Sequence, residues 1–177
     1  MSDEITDPIV VMGVSGSGKT TIGSLLAESL QLPFLDGDHL HSAANVERMA
    51  AGIALRDEER RPWLEAVGRH LAEREGRGGV VACSALKRSY RDLLRSWSPR
   101  LIVVFLDGPI DLIRSRIATR THEFMPPTLL ASQFASLEPL DPDERGLRVD
   151  VRRSPAAVVD EIRHQLLTMA PQTGSTP

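Results

Sequence analysis

Residues 13 to 20 have the types and spacing to hold phosphate: Gly13-Val14-Ser15-Gly16-Ser17-Gly18-Lys19-Thr20 fits the pattern G-x-x-x-x-G-K-[ST]. Glycines at these spacings let the main chain wrap close to an anion with its N–H groups turned inward. A helix N-terminus behind the loop adds a favourable dipole. In such a cradle the Lys19 ammonium reaches the β- and γ-phosphates of a nucleotide, the Thr20 hydroxyl ligates Mg²⁺, and Thr21 follows at the helix start. The bland alternative is a glycine-rich turn without a ligand. The flanks argue against it: the apolar run Ile9-Val10-Val11-Met12 precedes the loop, and Ile22, Leu25, Leu26 and Leu30 follow at helical spacing.

A bound metal-nucleotide also needs a carboxylate, and two segments compete to supply it. Leu101 to Leu106 followed by Asp107 is a hydrophobic strand ending in an acid. Phe34-Leu35-Asp36-Gly37-Asp38 is the rival, and small-molecule P-loop kinases commonly place acceptor-site acids on the strand after the first helix. The second segment is favoured. Asp38 would orient an acceptor hydroxyl and take its proton late, and Asp36 would hold Mg²⁺ through water. On that assignment Asp107 is a strand-end or helix-cap residue before Pro109. The competing role for Asp36 and Asp38 is a turn around Gly37.

These residues must be positioned by elements that the periodicity marks out. Short apolar runs at 9–12, 34–35, 80–83, 101–106 and 147–151 predict five strands. Between them, helical patterns cover 20–30, 42–50, 58–75, 87–96, 109–120, 129–137 and 155–169, with Asp57 as the cap of the third. Strands alternating with helices predict an α/β fold: a three-layer α/β/α sandwich around a five-stranded parallel sheet. With 177 residues, 41% of them hydrophobic, one domain with a substantial core is expected, with its ordered part at about 8–170 and disordered tails at 1–7 and 171–177.

A net charge of −3 gives no reason to expect a nucleic-acid or membrane-surface partner. No early apolar run is long enough for a signal segment or a membrane span. The single cysteine, Cys83, lies in an apolar run, which predicts a buried structural thiol and a reducing, cytoplasmic setting. Lys19 and Lys87 are the only lysines in a chain otherwise rich in arginine. No guanine-specificity motif of the N-K-x-D type is present, and the chain is short for a motor ATPase.

Several blocks together resemble the gluconate kinase family. They are the cradle, Phe34 to Asp38 with His41, Asn45 with Met49, and Arg60-Pro62-Trp63-Leu64. Cys83-Ser84-Ala85-Leu86-Lys87 with Tyr90-Arg91-Asp92, then Phe124, Ser132-Gln133-Phe134 and Leu137-Glu138-Pro139, extend the match over about residues 9–165. Asp107 is not an acid that the family pattern requires. The resemblance implies ATP-dependent, Mg²⁺-assisted phosphorylation of D-gluconate at its 6-hydroxyl. It further implies a nucleoside-monophosphate-kinase-like fold with a helical lid at about 121–139, and a homodimer.

Gluconate is an anionic polyol, so its carboxylate wants cations and its hydroxyls want carboxylates, imidazole and amides. Arg60, Lys87, Arg91 and His41 supply these, beside Asp38. Ordinary surface charge is their competing role. Arg116 and Arg120 lie four apart on the helix entering the lid. By similarity to nucleoside-kinase-like enzymes, Arg116 would stack on adenine and Arg120 would meet the transferring γ-phosphate. The turn from Asp150 to Pro155 would be a further adenine contact, through its backbone. Two other functions remain open on the sequence alone: a kinase for another small acid or polyol such as shikimate, and a nucleotide-binding regulatory module without turnover.

Overall fold

The computed structural model describes residues 5–119 and 126–169. Five strands form one parallel sheet: β1 (Pro8–Met12), β2 (Phe34–Asp36), β3 (Gly79–Ala82), β4 (Ile102–Asp107) and β5 (Gly146–Asp150). Their order across the sheet is β2-β3-β1-β4-β5. The helices are α1 (Lys19–Leu30), α2 (Ala43–Ala50), α3 (Asp57–Ala72), α4 (Arg88–Trp97), α5 (Ile110–Ala118), α6 (Pro127–Ser136) and α7 (Pro155–Thr168), and a short 3₁₀ turn covers Gly37–Leu40. The α/β/α sandwich read from the alternation of patterns is therefore the fold observed.

Side chains alternate across a strand, and the sheet uses both faces. Ile9, Val11, Val80, Ile102 and Val104 point one way and pack with Ile22, Leu26, Ile113 and Ile162 of α1, α5 and α7. Val10, Met12, Val81, Val103 and Phe105 point the other way and meet Trp63, Leu64, Val67, Leu71 and Leu94 of α3 and α4. With both faces covered, the strands read as unbroken apolar runs instead of alternating ones. β1 lies between β3 and β4, so the connections after β1 and after β3 run to opposite sides of it. Open parallel sheets bind ligands outside the carboxyl ends of the strands at such a switch point, and the cradle leaves the sheet there.

Two sequence expectations are corrected. Asp7 does not belong to a disordered start. It is buried, paired with Arg145 Nη2 at 2.7 Å and with Arg100, while Thr6 O accepts the Gly78 N–H at 2.9 Å. Asp57 does not cap α3. Arg56 holds the cap position and its N–H goes to Glu59 Oε2 at 2.7 Å, which leaves the Asp57 carboxylate available elsewhere. The tail at 171–177 and the first part of the expected lid, 121–125, lie outside the described residues.

Candidate active site

The cradle is built where β1 hands over to α1. Gly16 and Gly18 have φ of +79° and +99°, a left-handed backbone that side chains avoid, and a Cβ on Gly16 would also strike Ile117. Gly18 is the helix cap, so the first N–H groups of α1 face the loop. Lys19 Nζ donates to Val14 O at 3.0 Å, which folds the ammonium back over the loop it serves. Thr20 Oγ1 donates to Asp36 Oδ2 at 2.9 Å. The other Asp36 oxygen accepts the Asp38 N–H at 3.0 Å and starts the 3₁₀ turn. The hydroxyl of the cradle therefore faces the end of β2, two strands away in the sheet, and not Asp107. The Asp107 carboxylate is taken by Arg148, whose Nε lies 2.8 Å away. Thr20 and Asp36 are hard oxygen donors held side by side, the donor set that suits Mg²⁺.

On the far side of the cradle a cavity of about 230 Å³ is lined by Gly18, Thr21, Arg116, Val151 and Pro155. Arg116 Nη2 donates to Val151 O and so ties α5 to the turn after β5. The two segments expected to meet adenine thus share one pocket with the cradle. A larger concavity of about 510 Å³ lies beside it, but its charges are matched in pairs, Arg148 with Asp107 and Arg152 with Asp150. Arg120 lies outside the described residues.

The side where the sequence places the acceptor is organised by Trp63. Its Nε1 donates to Gly37 O at 2.7 Å, and its ring stacks on His41 with centroids 4.1 Å apart. A Cβ on Gly37 would meet Ala82 O at 2.6 Å, so only glycine lets the Asp36–Asp38 turn sit against β3. Burial, and then the charge of Arg60, lower the His41 pKa to about 4. The imidazole is therefore neutral at pH 7, a hydrogen-bonding group and not a cation. The sign for stability follows. The unfolded chain takes this proton near pH 6.5 and the folded one only near 4, so stability falls as pH drops through that window. We expect the urea midpoint of the native protein to fall more steeply between pH 6.5 and 4 than that of a His41→Gln variant.

Arg60 and Lys87 come together around Tyr90 and Asp57. Lys87 Nζ is 3.1 and 3.2 Å from the two Asp57 oxygens. Tyr90 Oη donates to Asp57 Oδ1 at 2.5 Å and accepts from Arg60 Nη1 at 2.9 Å. Both cations lie over the tyrosine ring, at 5.6 Å for Arg60 and 5.5 Å for Lys87. The Tyr90 hydrogen bond and then Lys87 hold the Asp57 carboxyl below its usual range, and the Asp57 hydrogen bond raises the Lys87 ammonium. Burial raises the Tyr90 phenol, which stays a donor. Two cations against one carboxylate leave this wall with an excess of one positive charge.

Arg91 does not belong to that wall, which corrects the sequence expectation. Its side chain is 0% exposed. Nε and Nη2 grip Glu144 at 2.7 and 2.8 Å, while Nη1 donates to the carbonyls of Ala85, Leu86 and Glu138. Burial alone would raise the Glu144 pKa, but the hydrogen bonds from Arg91, the Asp141 N–H and Arg95 outweigh it and bring it to about 2. Arg91 instead fixes the corner before Lys87, where Ala85 has φ of +42°, uncommon for a residue with a side chain. Cys83, beneath this corner, is fully buried and burial pushes its thiol up to about 12, so it is an inert packing group.

Tyr90, Glu144 and Gln133 had no assigned role in the sequence, and Asp57 had only that of a helix cap. Gln133 Oε1 accepts the Ser15 N–H at 2.6 Å, bringing α6 onto the cradle. Nothing in local periodicity points to these pairs. Tyr90 and Gln133 lie within the blocks that resemble the gluconate kinase family, and that resemblance was the signal that singled them out.

A shikimate kinase family model matches residues 15–165. The thermosensitive gluconokinase of Escherichia coli K12 is 42% identical over 166 residues, covering 92% of this chain and 89% of its own. The gluconokinase of Gluconobacter oxydans is 45% identical over 159 residues, covering 88% and 89%. The crystal structure of a gluconokinase from Sinorhizobium meliloti 1021 superposes with a TM-score of 0.86 at 46% identity, covering 92% of this chain and 93% of that one. A shikimate kinase from Aquifex aeolicus, at 23% identity and a TM-score of 0.60, shares the fold.

Proposed function

The chain belongs to the gluconokinase family, within the wider group that the shikimate kinase model describes, and we propose that it transfers the γ-phosphoryl of ATP to the 6-hydroxyl of D-gluconate. The products are 6-phospho-D-gluconate and ADP. The observation that carries this reading is the chain of contacts from Thr20 through Asp36 to the Asp38 turn. It sets a phosphate cradle beside a carboxylate suited to an acceptor hydroxyl.

Gluconate would lie with its carboxylate toward Arg60 and Lys87 and its 6-hydroxyl toward Asp38. His41, neutral and stacked on Trp63, would meet a hydroxyl between them. The new bond is from O6 to the γ-phosphorus, and the bond broken is from that phosphorus to the β–γ bridging oxygen. The O6 proton passes to Asp38, and ADP leaves with the bridging oxygen. Lys19 and the inward N–H groups of the cradle stabilise charge on the phosphate oxygens. Thr20 and Asp36, the latter through water, would hold Mg²⁺, which when bound neutralises the β- and γ-oxygens. Arg116 and the 150–155 turn would hold adenine, and Arg120 would meet the γ-phosphate. Among the described residues no helix is long and apolar enough to cross a membrane. Family resemblance supports a cytoplasmic homodimer as part of the same proposal.

The direct test is ADP release from MgATP across a panel of sugar acids, polyols and shikimate. Turnover with D-gluconate at about 1–100 s⁻¹, the usual range for kinases, is expected. Turnover with shikimate alone would select the family-model substrate instead. Nucleotide binding with no transfer to any acceptor would leave a regulatory module.

A further inference from the structure

Gln133 occupies one of the backbone donors of the cradle. Its Oε1 accepts the N–H of Ser15, third residue of the cradle, at 2.6 Å. The helix that carries it is anchored at both ends of this short reach. Leu129 and Leu130 of α6 are buried against the core, and just beyond the helix the Glu138 N–H donates to Leu86 O at 2.8 Å. Glu138 Oε2 in turn accepts the Arg88 N–H at 2.6 Å. The last turns of α6 therefore run from the cradle to the corner that carries Lys87. On the kinase reading, the terminal phosphoryl group of ATP is the one that must face this acceptor side.

A carboxamide carries an acceptor and two donors on one planar group. A phosphate oxygen entering the cradle competes for the Ser15 N–H and displaces the carbonyl. Turning the amide over then presents its NH₂ to that oxygen, with no movement of α6 required. We propose that Gln133 is a further catalytic residue, whose amide donates to the γ-phosphoryl group of bound ATP. This rests on the kinase reading for its role in turnover, but the contact itself is a matter of nucleotide binding.

The test compares Gln133→Glu with Gln133→Ala by calorimetry, using ADP and β,γ-methylene-ATP without acceptor. A glutamate still accepts from Ser15 but cannot donate when ionised, and it sets a charge against the terminal phosphate. We expect the ratio of analogue to ADP dissociation constants to rise about tenfold in Gln133→Glu and about twofold in Gln133→Ala, with kcat for gluconate falling at least tenfold in both. Gln133 is only partly buried, and unchanged thermal midpoints would verify that both variants fold. A Gln133→Glu ratio equal to that of the native protein overturns the proposal. Native protein that turns over no sugar acid would defeat the kinase reading alone, because the ratio is read without turnover.

Discussion

Asp38→Asn should lower kcat with gluconate about a thousandfold, within the range for loss of a general base, while ATP affinity stays within about threefold. The asparagine has the shape of the aspartate, and the backbone that carries it is pinned independently of the side chain. The Asp38 N–H is bonded to Asp36, Gly37 O is held by Trp63, and Gly37 itself is wedged under Ala82 O. The turn should therefore survive, with a group that can orient a hydroxyl but not take its proton. Asp36→Asn is the internal contrast. Its carboxylate faces Thr20 on the nucleotide side, so that change should act on the metal dependence of nucleotide binding. Steady-state kinetics with each substrate varied, and nucleotide titrations, check both. Near-native kcat in Asp38→Asn would remove it from the acceptor hydroxyl.

The second large effect concerns stability. Arg91→Met should lower unfolding free energy by about 3–5 kcal/mol, the usual cost of removing one partner from a buried ion pair. That is a large share of the roughly 5–15 kcal/mol that holds a domain folded. The reason is what stays behind: Glu144, itself 0% exposed at its side chain, would keep only Arg95 at 2.6 Å and the Asp141 N–H. The carbonyls of Ala85, Leu86 and Glu138 would lose their shared donor as well. Adding Glu144→Leu should return much of the loss, because two apolar groups can replace a buried pair at little cost. Urea unfolding of the single and double variants measures this. Acid adds a check. With the Glu144 pKa lowered to about 2, its stabilisation is present above its unfolded value near 4.5 and lost as pH falls toward 2. Arg91→Met should flatten that acid limb. A small stability loss with a large rise in KM for gluconate would instead return Arg91 to the acceptor.

The residues that the sequence misplaced have one thing in common. Arg91 and Lys87 stand four apart at the start of the same helix, one basic side chain following another, and composition treats them alike. Packing does not: α4 turns Arg91 inward to Glu144 and leaves Lys87 at the helix cap, facing Asp57 on α3. Asp57 was likewise a plausible cap by type and position, and only the adjacent starts of α3 and α4 give it Lys87 and Tyr90.

By itself the sequence determined the glycine-rich turn between β1 and α1, the five strands, the helices among the described residues to within a few residues, and their α/β/α layering. Each is written in local spacing: glycines where the backbone must turn left-handed, apolar runs for strands buried on both faces, and a repeat near 3.6 for the helices between. Tertiary structure alone decided which charges meet. Thr20 faces Asp36 across two strand positions, Arg91 finds Glu144, and Gln133 reaches Ser15 from 118 residues away. Such pairings depend on the angle and depth at which elements pack, and no period along the chain records them.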